Sequence, residues 1–213
     1  MNFLKKIFSK STDTPRKLTK VSQLLVGDIV VLTDSFALPE TLRGQQFQVK
    51  AINSYEFEHK VQTEWALLGS NHLEIFLSLE VDDITELKLT LKIQHEDVET
   101  LFDLDNFSQV FDEPGEAFLE KKSDTELTKM WSSDQYQQSV FATVGFFHRK
   151  DHRSESLSPY EGKDSGEQFE LYSLYNEDQS KGVDVEVWQD GDTEVCLTLF
   201  RPLSDIVDMY PGS

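Results

Sequence analysis

His148 and His152, four residues apart, come closest in this chain to a metal-binding pattern. That spacing puts two rings on one helix face, as in zinc peptidases, where a glutamate after the first histidine serves as base. Here Arg149 follows His148, Lys150 and Arg153 add positive charge, and the segment reads as a strand end entering a loop. Both features oppose a cation, so no metal site is assigned. Asp103-x-Asp105-Asn106 has the opening of a calcium loop, but Ser108 replaces the required glycine and Pro114 the bidentate glutamate.

Cys196 is the single cysteine and lies mid-strand, which fits a buried structural thiol better than a nucleophile. It also excludes an intramolecular disulfide framework. Trp65, Trp131 and Trp188 read as core anchors rather than a stacking platform. The sequence carries no G-x-G-x-x-G, no phosphate loop and no G-x-S-x-G. It therefore points to no catalytic residue, no cofactor and a non-enzymatic role. Its many carboxylates could pair in space as acid and base, and a deep pocket in which they converge with shifted pKa would favour an enzyme instead.

Charge is the stronger signal. Lys plus Arg number 20 against 39 Asp plus Glu, a formal net charge of −19. Residues 1–20 run the other way, with six lysines and arginines against Asp13, or +5, leaving −24 for residues 21–213. An acidic body repels nucleic acid, so no direct nucleic-acid binding is expected. On a helical projection, Phe3, Leu4, Ile7, Phe8 and Met1 share one arc of about 160°, and Lys5, Lys6 and Lys10 lie opposite. Phe3, Leu4, Lys5, Lys6, Ile7, Phe8 and Lys10 are thus the candidate contact with a membrane surface or protein partner. The alternatives are docking on the protein's own body or on a second subunit, and a disordered start. Residues 11–17 read as a linker. With no apolar run of about 18 residues and no signal-peptide pattern, the expected location is cytoplasmic, in part peripheral to the inner membrane.

The elements that must carry these residues are mostly strands. From Val21 to Ile93 the apolar period is two, most cleanly over Glu86–Lys92. Between residues 95 and 131 the period becomes helical, with Val98, Leu101 and Phe102, then Phe107, Val110 and Phe111, and a capping-box pattern at Ser123-x-x-Glu126. Strands return at 139–147, 169–175, 182–188 and 193–200. Asp190-Gly191 predicts a two-residue hairpin turn, residues 149–167 a mobile loop, and Leu203–Met209 a closing helix.

Residues 77–93 and 185–201 align without a gap, with Asp82, Thr85, Glu86, Leu89, Thr90 and Leu91 repeated as Asp190, Thr193, Glu194, Leu197, Thr198 and Leu199. A repeat of strand, acidic turn and strand implies an internal duplication. The predicted fold is α+β and predominantly antiparallel β. It has an arm and linker at 1–20, a first β-rich half at 21–93, a helical connector at 94–135 and a similar second half at 136–213. All of these could form one compact domain.

Leu24-x-Val26-Gly27-Asp28, Glu64-Trp65, Leu77–Asp83, Val185-Glu186-Val187-Trp188 and Arg201–Ile206 together make the chain resemble a bacterial family, domain of unknown function 4178. It is also somewhat similar to the YjfK-like proteins. The resemblance implies a β-rich fold and a genomic neighbourhood of phage-shock-like coiled-coil and small membrane proteins. It supplies no site residues. Taken together, these features suggest an acidic adaptor at the cytoplasmic membrane face in an envelope or membrane-stress system. The alternatives are a soluble acidic decoy for a basic, nucleic-acid-binding partner and an enzyme of unknown class. The oligomeric state is left open.

Overall fold

The structure is a computed structural model that describes residues 16–155, Tyr160 and 166–212. The seven candidate contact residues of the arm, Phe3 to Lys10, lie outside the described residues. Eleven strands form one antiparallel sheet: β1 (Ile29–Leu32), β2 (Gln46–Phe57), β3 (Lys60–Gly69), β4 (Glu74–Val81), β5 (Thr85–Ile93), β6 (Phe118–Glu120), β7 (Gln135–His148), β8 (Glu167–Tyr175), β9 (Lys181–Trp188), β10 (Thr193–Pro202) and β11 (Ile206–Tyr210). Two short helices, α1 (His95–Leu101) and α2 (Leu104–Ser108), lie between β5 and β6. The fold is therefore β-rich α+β, as the alternating periods indicate.

The sheet order is β11-β1-β2-β3-β4-β5-β10-β9-β8-β7-β6, with β2 also paired to β7. That extra pairing joins β2 through β5 and β10 back through β7 into a closed eight-stranded ring. The closing seam is short: Ser54, Tyr55 and Glu56 face His148, Phe147 and Phe146. Beyond it, β1 with β11 and β6 form flanges on the two strands that meet there.

The ring consists of two four-stranded meanders, β2–β5 and β7–β10, that meet where β5 pairs with β10. Thr90 sits opposite Thr198, with Leu89 facing Leu199 and Leu91 facing Leu197. The repeated segments thus flank a local two-fold relation centred on the repeated threonines. The match slips by two residues in the preceding strands, because Leu79 faces Leu87 whereas Val185 faces Val195. The second turn is a three-residue loop, Gln189–Gly191, rather than the expected two-residue turn. Trp188 N–H donates to Asp192 O at 2.8 Å, and Gly191 takes φ 95°. That is a type I turn followed by a left-handed glycine.

Alternation on each strand separates two environments. One face carries Leu87, Leu89, Leu91, Val195, Leu197, Leu199, Val183 and Val185, all buried. It packs against Val21, Leu24, Leu38 and Leu42 from the first segment and Val98, Leu101, Phe102, Val110 and Trp131 from the connector. The chain thus covers the ring's outer face with its own loops and helices. The indole of Trp65 donates to Leu24 O at 3.3 Å across this layer, and Lys181 Nζ donates to Met130 O and Ser132 O.

Two expected helices need correction. Residues around Ser123–Glu126 form turns, not a helix. Thr125 and Thr128 exchange bonds as in a capping box, two residues beyond the expected cap, but Met130 takes φ 70° and ends the turn before a helix can form. Leu203–Asp205 is one 3-10 turn, and Ile206–Tyr210 is a strand, because β1 offers an edge to pair with. The described part of the 149–167 loop is fastened: Ser54 Oγ donates to Lys150 O at 2.9 Å, and Tyr160 Oη to Val144 O at 2.6 Å. Arg16, assigned to the linker, donates to the buried carboxylate of Asp28.

Candidate functional site

The inner face of the ring lines a cavity of about 1410 Å³ to which all eight strands contribute. An eight-stranded barrel is just wide enough either to be filled by side chains or to hold one small ligand. Here the inner positions leave space. They include Asn53 and Tyr55 on β2, Glu64 and Ala66 on β3, Phe76 and Ser78 on β4, and Lys88 and Thr90 on β5. Across the cavity stand Phe147 on β7, Leu171 on β8, Asp184, Glu186 and Trp188 on β9, and Glu194 and Cys196 on β10. The mouth lies at the end bearing the β9–β10 turn, near Asp190, Asp192, Lys92, Glu74, Arg149 and the exposed Leu25 and Val26.

Deep in the ring, Lys88 Nζ meets Asp184 Oδ2 at 2.7 Å, and Ser173 Oγ donates to Asp184 Oδ1 at 2.6 Å. The ion pair outweighs the desolvation of Lys88 and raises its pKa far above the ordinary lysine range. Among the described residues, Glu64 and Glu186 form no such ion pair, although Lys88 acts on both from a distance. Burial pushes Glu64 up to about 7, although Asn53 Nδ2 donates to it at 3.0 Å and Lys88 pulls the other way. Burial and then the nearby Glu64 and Asp184 push Glu186 up to about 8. Tyr55 crosses the ring towards Glu186, and its phenol is raised by burial and by the facing carboxylates. The Cys196 thiol is raised by burial and then by Glu186 and Asp184, so it is an unreactive neutral group.

An aromatic wall adjoins these carboxyls. Tyr55 lies 5.0 Å from Phe147 and 5.5 Å from Phe169, ring centre to ring centre. Trp188 lies 5.7 Å from Phe147 and 5.3 Å from Phe169. Its indole nitrogen is buried without an acceptor.

Of the residues weighed from sequence, Cys196 and Trp188 line this cavity, whereas Trp65 and Trp131 belong to the outer apolar layer. His148 and His152 come together outside the ring, at the seam, with ring centres 5.0 Å apart. His148 Nε2 sits 2.9 Å from Glu56 Oε2. Among the described residues no group of three or more His, Cys, Asp or Glu has metal-binding geometry. Asp103 instead caps α2, accepting from Asp105 and Asn106 N–H. Sequence reasoning missed Glu64, Lys88, Asp184 and Glu186. The available signal was that large aromatics, Phe76 and Trp188 among them, share the nominally polar face of their strands.

Among the described residues, no helix is long and apolar enough to cross a membrane. The chain matches no family model, no curated protein and no solved structure.

Proposed function

We propose that the protein is a small-molecule-binding barrel whose site is the interior of the eight-stranded ring. The observation that carries this is the cavity itself: about 1410 Å³ lined by alternate residues of all eight strands. That is above the roughly 300–1,000 Å³ of ordinary ligand sites, so a small molecule would occupy part of it, and the lining has their combination of apolar walls with a few placed polar groups. The test is native mass spectrometry of freshly purified protein, with extraction of any bound small molecule, repeated on Thr90→Phe. Thr90 lines the cavity, and the larger ring projects into it and obstructs a ligand seated there. A bound species in the parent and none in a folded Thr90→Phe supports the reading. A ligand-free parent that also leaves the unfolding temperature unmoved by any member of a small-metabolite panel overturns it.

A second reading, acid–base catalysis in the same cavity, is favoured by Glu64 and Glu186, whose pKa values near 7 and 8 suit proton transfer at neutral pH. Turnover of the extracted ligand, lost in Glu64→Gln and Glu186→Gln while binding persists, would distinguish it from binding alone. The adaptor reading is a separate proposal resting on Phe3–Lys10. Arg16, Lys17 and Leu25 share a surface depression beside the mouth. Flotation with anionic vesicles, with and without residues 1–10, tests it.

A further inference from the structure

Resting on the binding reading above, the structure assigns the cavity's ligand to a chemical class: we propose a small organic cation with an aromatic or apolar body. The argument is one of charge balance. Among the described residues, four cationic side chains line the cavity, and each is already paired. Lys88 holds Asp184 at 2.7 Å, Lys92 holds Glu194, Arg149 holds Glu167 at 3.0 Å, and Lys150 holds Glu155 at 2.7 Å. Glu64 and Glu186, from opposite sides of the ring, receive none of them. The free protein offsets that imbalance by retaining protons. A cationic ligand would offset it directly, and it alone would restore the carboxylates to their ionised form.

The geometry beside the carboxyls supplies the rest of the recognition. Tyr55, Phe147 and Trp188 form a continuous aromatic surface with ring centres 5–6 Å apart, backed by Phe169. The face of an aromatic ring attracts a cation, and a desolvated setting strengthens that attraction. An ammonium head between the carboxyls and Tyr55, with its organic body against Trp188 and Phe147, uses every feature of this wall. An anion would meet two uncompensated carboxyls and, among the described residues, no free cation. A neutral body would leave the carboxyls protonated and unused.

Trp188 is the cavity's own reporter, since Trp65 and Trp131 lie in the outer layer. The experiment titrates full-length protein with benzyltrimethylammonium, benzyl alcohol and phenylacetate, reading tryptophan fluorescence, with Trp188→Phe as control and calorimetry alongside. The expected result is binding in the order cation, neutral, anion. Cation affinity should rise from pH 6 to pH 9, as Glu64 and Glu186 lose their protons. Glu186→Gln should weaken the cation by about tenfold or more, as expected for losing one close charge partner in a desolvated site, and leave benzyl alcohol unchanged. Tighter binding of benzyl alcohol or phenylacetate, or cation binding indifferent to pH and to both Glu64→Gln and Glu186→Gln, overturns the cation assignment while the binding reading stands. If none of the three binds and native mass spectrometry finds the parent ligand-free, the binding reading itself fails and takes this inference with it.

Discussion

The two faces of β5 and β10 share a backbone yet solve opposite problems. Outward, Leu87, Leu89, Leu91, Val195, Leu197 and Leu199 pack into a continuous apolar layer. Inward, on the alternating positions, stand Lys88, Thr90, Lys92, Glu194, Cys196 and Thr198. Both faces are largely withheld from bulk water, but only the outer one is filled. The lesson is that burial and packing are separable. The outer face contributes most of the stability, and the inner face holds charge that must be compensated locally.

Substitutions can break or sharpen this contrast. The largest effect is expected on the outer face: Leu197, fully buried, should cost about 2–5 kcal/mol when changed to Ala. Chemical denaturation measures this, and a loss below about 1 kcal/mol would mean that the outer layer is poorly packed. Next comes Lys88→Met, which strands Asp184. Removing one partner of a buried pair costs about 3–5 kcal/mol, and contact with cavity water should bring this case to about 2–3. The double variant Lys88→Met, Asp184→Asn should recover much of the loss.

Glu186→Gln should act with the opposite sign. A carboxyl whose pKa is raised on folding binds protons more tightly in the folded state, so its contribution is full below its unfolded pKa near 4.5. That contribution is lost as pH climbs through the folded value of about 8. The parent should therefore lose stability between pH 5 and pH 8. Glu186→Gln should be stabilising at pH 8 by an amount on the order of 1–3 kcal/mol, and nearly neutral at pH 5. Thermal melts at the two pH values decide it. The smallest effect belongs to the mouth: Glu194→Gln, which breaks a part-exposed pair with Lys92, should change stability by less than about 1 kcal/mol.

The strands were legible because their apolar residues alternate, and the Thr90 and Thr198 segments were legible because they repeat. The ring was not. Its closure rests on three residue pairs between β2 and β7, strands about ninety positions apart in sequence, and nothing local to Ser54 or His148 encodes that meeting. The site stayed hidden for a related reason. An alternating Lys or Glu normally faces solvent on a one-sided antiparallel sheet, and only closure turns that face inward. The helix expected at Ser123–Glu126 failed because a capping pattern cannot show that Met130, one turn further on, takes a left-handed φ of 70°. The helix expected at Leu203–Met209 gave way to the free edge of β1, a partner that no local pattern displays.

The seam between β2 and β7 has a kinetic consequence. Its paired backbone groups are the fewest of any junction in the ring, and the neighbouring imidazole of His148 rests on Glu56. Local opening follows the lines of fewest bonds. Amide deuteration should therefore reach residues 54–56 and 146–148 well before the β5–β10 junction. An opened seam exposes two unpaired strand edges, the structures through which sheets join one another between molecules. The same clasp that encloses the cavity is thus the place where an opened copy would first offer an edge to the next.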